Sequence, residues 1–174
     1  MNIVLIGYRG TGKSHVGRLL AAKLSFPYVS IDKAIVSRAG MSITEIVNQF
    51  GWQGFRDRES LEVREISVWD SIVIDTGGGV IERPENIEAL RENGCLIWLK
   101  ASVATIVSRI EGGCDRPALT DGKSFTEEVA EVLARRSPLY RNAAMHEIDT
   151  DGLAPEEIVD QIVMLWQKRS CRVL

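Results

Sequence analysis

The sequence predicts an α/β fold of three layers, a central parallel sheet covered by helices on both sides. Three observations carry this expectation. Short apolar runs recur along the chain, helical patterns lie between them, and no repeat, low-complexity tract or Pro/Ser-rich linker divides the 174 residues. A helix between two strands carries the chain back to the edge where it started, so such alternation yields parallel pairing.

The first apolar run, 2–6, is a strand candidate and leads into GYRGTGKS at 7–14, where a strand should turn into a helix. A weaker strand candidate at 28–31 ends against Asp32. Ser42 and Glu45 have the spacing of a capping box, in which two side chains satisfy the free N–H groups that open a helix. The run Ile72-Val73-Ile74-Asp75 is a third strand candidate and runs into Gly77-Gly78-Gly79. Pro84 suits a first helical turn, and residues 95–99 form the fourth apolar run. Residues 112–122 then break the pattern with four glycines or prolines and both charge signs, so 111–123 are expected to be a mobile lid. Ser124 with Glu127 repeats the capping box, 146–149 offers a fifth strand, and Pro155 suits the start of a last helix.

With 45% hydrophobic and 26% charged residues, the chain has material for one ordinary core, and a single domain over 1–174 is expected. A net charge of −3 argues against broad nucleic-acid or anionic-membrane binding, so any anion site must be built by particular residues. Gly7 and Arg9 interrupt the first apolar run, leaving it too short for a signal peptide or a membrane span. A cytoplasmic monomer is the expectation. Cys95, Cys114 and Cys171 lack metal-type spacing and read as free thiols, and His15 and His146 are isolated.

GYRGTGKS fits G-x-x-x-x-G-K-[ST]: Gly7, Gly12, Lys13 and Ser14 stand in the required places. Glycines let backbone N–H groups face one concavity, and the helix N-terminus adds partial positive charge. Lys13 reaches the outer phosphates and Ser14 offers Mg²⁺ a hydroxyl. The nucleotide-binding stretch is therefore Gly7, Gly10, Thr11, Gly12, Lys13, Ser14 and His15. An ATPase, a GTPase, a motor or a small-molecule kinase all use such a cradle. No NKxD-like segment reads guanine and no coupling domain fits in this length, which leaves a compact kinase.

Further stretches narrow the acceptor: IDKAIVSRAGMSITEIV (31–47), GFRDRE (54–59), DTGGGVI (75–81), DRPAL (115–119) and RRSPLYR (135–141). Together with the cradle they resemble the shikimate kinase family across nearly the whole chain. The resemblance implies a P-loop kinase fold like that of nucleoside monophosphate kinases, with five parallel strands, an acceptor region at about 32–60 and a lid. It implies ATP as co-substrate, Mg²⁺ as cofactor and transfer of the γ-phosphoryl to the 3-hydroxyl of shikimate. In this reading Lys13, Asp32 and Arg116 are catalytic, Asp32 receiving the acceptor hydroxyl and Arg116 arriving with the lid. Gly77, Gly78 and Gly79 line the acceptor pocket, and Arg109 and Pro155 flank the adenine. Arg56, Arg135, Arg136 and Arg141 are all candidates for anion recognition, since a guanidinium forms two parallel hydrogen bonds with a carboxylate. The resemblance favours Arg56 and Arg141 for the shikimate carboxylate. Glu59, three residues after Arg56, is placed to orient it.

Two positions depart from the family. Where it has D-x-D, this chain has Ser30-Ile31-Asp32, and where it has G-E-x-x-F-R, this chain has Gly51-Trp52-Gln53-Gly54-Phe55-Arg56. The first change removes a carboxylate linked to Mg²⁺. Asp75, at the end of an apolar strand, offers a replacement through water, beside Ser14. A kinase for another hydroxylated metabolite such as gluconate, or a non-catalytic nucleotide- or shikimate-binding relative, stand as alternatives.

Overall fold

The computed structural model describes residues 1–110 and 124–170. The expected lid, with Arg116 and Cys114, lies outside the described residues, as does Cys171. Five strands are found among those described: β1 (Asn2–Ile6), β2 (Tyr28–Ser30), β3 (Val73–Asp75), β4 (Gly94–Lys100) and β5 (His146–Asp149). They form one parallel sheet in the order β2-β3-β1-β4-β5. Each lies within a residue or so of an apolar run in the sequence.

Helices α1 (Lys13–Leu24), α2 (Ile31–Ala39), α3 (Ile43–Ser67), α4 (Pro84–Glu92), α5 (Val103–Ile110), α6 (Phe125–Ala143) and α7 (Pro155–Ser170) connect the strands. Both expected capping boxes are present, Ser42 with Glu45 opening α3 and Ser124 with Glu127 opening α6. Pro84 and Pro155 each take the first helical position. α3 is not one straight rod, because Gly51 has φ 69° and ψ 175° inside it. That conformation is easily reached without a Cβ, and it separates 43–50 from the segment bearing Arg56 and Glu59.

β1, β3 and β4 are buried on both faces, and alternation sorts their side chains into two cores. Val4, Ile6, Ile74, Leu96 and Trp98 pack with α2, α3 and α6 through Ile35, Phe55 and Tyr140. Ile3, Leu5, Val73, Ile97 and Leu99 pack with α1 and α7 through Val16, Leu20, Ile158 and Ile162. This two-sided burial is what continuous apolar runs in parallel strands require. β1 lies at the centre, and the chain departs in opposite directions from it. Loops at the carboxyl ends of β1, β2 and β3 therefore open around one crevice, where ligands of such sheets bind.

Candidate active site

The turn after β1 is shaped by backbone conformations that favour glycine. Gly7, Gly10 and Gly12 have φ of 145°, 81° and 90°. A Cβ on Gly7 would also stand 2.5 Å from the Leu99 carbonyl oxygen. The Thr11 hydroxyl donates to the Tyr8 carbonyl at 2.8 Å and tightens the turn. Buried Lys13 folds back over it, its ammonium donating to the carbonyls of Gly7 (2.8 Å) and Tyr8 (2.9 Å). Beside the turn lies a cavity of about 620 Å³, lined in part by Gly12, Lys13, Ser14 and His15.

The opposite wall brings Asp32, Asp75 and Gly78 to the same cavity. Asp75 is buried, and its Oδ2 accepts from the Ser14 hydroxyl at 2.6 Å and from the Tyr28 hydroxyl at 2.6 Å. Burial, and then the Asp75 carboxylate, push the Tyr28 phenol well above its ordinary value, so it remains a donor. Among the described residues Asp75 forms no ion pair. Ser30 and Asp75 are register partners on neighbouring strands, so the Asp75 carboxylate stands one strand away from position 30. The Ser30 hydroxyl is instead the N-cap of α2, accepting from the Lys33 amide.

The donor set suits a hard cation: a serine hydroxyl and a buried carboxylate with no positive partner, beside a cradle for phosphate oxygens. Mg²⁺ needs only one or two carboxylates because it keeps waters and takes phosphate oxygens as ligands. No cluster of three His, Cys, Asp or Glu side chains is present among the described residues.

Beyond the cavity, the triple-glycine turn joins the cradle to a group of arginines. A Cβ on Gly77 would lie 2.7 Å from Glu59 Oε1 and 3.0 Å from Asp32 Oδ1. One on Gly79 would fall inside the Arg56 guanidinium. Arg56 Nη1 pairs with Glu59 Oε2 at 2.6 Å, and Arg56 Nε lies 3.5 Å from Glu82. Burial raises the Glu59 carboxyl above its usual range, with Arg56 pulling it back. Glu82 also receives Arg136, through Nε at 2.9 Å and Nη2 at 2.8 Å, and the more exposed Arg135 at 3.1 Å. Three guanidiniums thus gather around Glu82, with Glu59 behind Arg56 and Asp32 beside Glu59 at the Gly77 turn.

Arg141 does not join this group. It is exposed, with its guanidinium 5.9 Å from the Trp98 ring centre. Five residues along a helix turn a side chain by about 140° relative to the first, so Arg136 and Arg141 point to different sides of α6. The structure thus groups Arg56 with Arg136 around Glu82 and sets Arg141, the partner expected for Arg56, apart from them. At the other departure from the family pattern, Trp52 packs edge-on against Phe55 and its ring lies 5.8 Å from the Arg56 guanidinium carbon. An aromatic face thus supports the arginine where the family has a glutamate.

Arg109 reaches the same cavity from α5 and donates to Thr150 and to the Gly10 carbonyl. Pro155 opens α7 just beyond Thr150. Sequence reasoning missed Tyr28 and Glu82. Nothing in spacing marks either, since Tyr28 is an ordinary strand residue and Glu82 follows the glycine turn without a motif of its own.

A phosphate cradle at the centre of a 2-3-1-4-5 parallel sheet, facing a carboxylate and an anion-binding group of arginines, defines a P-loop kinase acting on a small acidic acceptor. The comparisons narrow this. A family model described as shikimate kinase matches residues 9–167. The shikimate kinase of Thermodesulfovibrio yellowstonii is 41% identical over 97% of this chain and 96% of its own. That of Symbiobacterium thermophilum is 40% identical over 99% of each. The structure of Acinetobacter baumannii shikimate kinase in complex with shikimate superposes with a TM-score of 0.91 at 32% identity, covering 97% of this chain and 93% of that one. The chain belongs to the shikimate kinase family. It is an ATP-dependent enzyme that phosphorylates a shikimate hydroxyl, a step of aromatic amino acid biosynthesis.

Proposed function

We propose that the chain acts as one kinase domain in which the cavity holds the ATP phosphates, and the acceptor lies between Asp32, the triple-glycine turn and the Arg56–Arg136 pair. The observation that carries this reading is the convergence of Arg56 and Arg136 on Glu82 next to Gly79, which leaves guanidinium N–H donors for a carboxylate on the acceptor. Held there, the acceptor presents its 3-hydroxyl toward Asp32. Asp32 orients that hydroxyl and takes its proton as the oxygen–phosphorus bond forms. Phosphoryl transfer passes through a loose transition state, so charge placement matters more than base strength. Lys13 leaves the Gly7 and Tyr8 carbonyls to reach the β- and γ-phosphate oxygens, and cradle amides stabilise the departing diphosphate. Arg109 and Pro155 border the adenine.

In this reading the Ser14 hydroxyl and, through water, Asp75 would hold Mg²⁺, which would supply positive charge to the phosphate oxygens. The Ser14 hydroxyl could offer a lone pair to the cation while its O–H still donates to Asp75 Oδ2. A coupled assay of ADP release, comparing shikimate, quinate, gluconate and water as acceptors, tests the proposal. Shikimate-dependent ADP formation is expected. Equal ADP release with water alone, or a preference for gluconate, would overturn it.

A further inference from the structure

One residue of the metal corner has no role in the reading above. Tyr28 opens β2, two residues before Ser30, so alternation puts both side chains on the face of the sheet that carries α1. Its ring is held there by contact with α1. A Cβ on Gly17 would lie 2.9 Å from Tyr28 Cε2, and the Arg18 guanidinium carbon stands 5.4 Å from the ring centre. Thus fixed, the phenol donates a hydrogen bond to Asp75 Oδ2, the same oxygen that accepts from Ser14.

We propose that Tyr28 is a positioning residue for the divalent cation: by holding Oδ2 together with Ser14, its hydroxyl fixes the Asp75 carboxylate so that Oδ1 is turned to metal-bound water. The inference rests on the assignment of Asp75 to the metal. Its physical basis is twofold. Asp75 lines the cavity yet finds no positive partner among the described residues, so its orientation is set by hydroxyl donors alone. When Ser14 turns its lone pairs to a cation, Tyr28 is the donor whose position stays fixed by ring packing. Groups that orient the outer partners of a metal tune its affinity, and removing one typically costs about 10- to 100-fold.

The test is Mn²⁺ binding to the enzyme–ADP complex, read from the electron paramagnetic resonance of free Mn²⁺, for wild type, Tyr28→Phe, Asp75→Asn and the double variant. Phenylalanine keeps the ring against Gly17 and removes only the donor. Tyr28→Phe is expected to weaken Mn²⁺ binding about tenfold, while ADP affinity in EDTA stays as in wild type. In the Asp75→Asn background the same change should add less than about twofold, since Tyr28 acts through that carboxylate. If Asp75→Asn weakens Mn²⁺ binding and Tyr28→Phe does not, the Tyr28 inference alone falls. If Asp75→Asn binds Mn²⁺ like wild type, the Asp75 assignment falls and this inference with it. An equal loss from Tyr28→Phe in both backgrounds would make the tyrosine a packing residue and overturn its positioning role.

Discussion

Arg136→Ala should weaken shikimate binding severely, whereas Arg141→Ala should leave it nearly intact. Arg136 is buried and spends two of its five N–H donors on Glu82, at 2.9 and 2.8 Å, so its fork is set in place with donors to spare for a ligand. A hydrogen bond to a charged group contributes about 1.5–3 kcal/mol, which corresponds to roughly 10- to 150-fold in affinity. The fold should bear the loss. Glu82 keeps Arg56 at 3.5 Å and Arg135 at 3.1 Å, and its side chain is 30% exposed, so no carboxylate is left buried and alone. Arg136→Lys keeps the charge without the planar fork and should fall between wild type and alanine. Arg141 touches the Trp98 face at the surface, and its removal should change shikimate affinity by less than about twofold. Calorimetric titration with shikimate, alone and with ADP present, reads the difference directly. A tenfold loss in Arg141→Ala with wild-type affinity in Arg136→Ala would refute the geometric argument and restore the pairing that the sequence favoured.

Lys13→Ala should abolish phosphoryl transfer, and because its ammonium also satisfies the Gly7 and Tyr8 carbonyls, chemical denaturation should show a stability loss of about 1–3 kcal/mol; near-wild-type turnover would remove the lysine from the mechanism. Gly79→Ala should fold normally, since the flexible Arg56 side chain can retreat from the added methyl, but its shikimate KM should rise because the guanidinium is displaced. An unchanged KM would disconnect Arg56 from the acceptor. Asp75→Asn should raise the Mg²⁺ needed for half-maximal activity, and adding Ser30→Asp should lower it again, because the two positions are side by side in the sheet. A magnesium titration identical in all three proteins would leave Ser14, phosphates and water as the whole metal site.

Much of this was legible in one dimension. Parallel strands buried on both faces must be written as apolar runs, which is why β1, β3 and β4 stood out. The cradle and the two capping boxes are local devices whose parts lie within a few residues of one another, so spacing alone reveals them. The strand order 2-3-1-4-5 is a matter of which distant segments pair, and no local pattern encodes it. The choice among arginines in RRSPLYR fails for a related reason. Arg136 and Arg141 share a motif and a helix, yet only contact with Glu82, over fifty residues earlier, tells the inward one from the outward one. Tyr28 was invisible because its meaning depends on an aspartate that the sheet, not the sequence, sets beside it.

The adjacency of positions 30 and 75 also bears on how such a site changes over generations. Two substitutions separate a protein with its carboxylate at 30 from this one, and the two orders differ in what passes in between. Losing the first carboxylate before gaining the second leaves a phosphate cradle with no anionic oxygen beside its hydroxyl. Gaining Asp75 first sets two carboxylates next to each other; without a cation one of them is driven to keep its proton, and with a cation the repulsion is relieved. If Asp75 serves the cation, this second order keeps a carboxylate beside the cradle at every step, whereas the first passes through a protein that needs more Mg²⁺. An intermediate on the second path would carry both carboxylates and would need its cation to keep both of them charged.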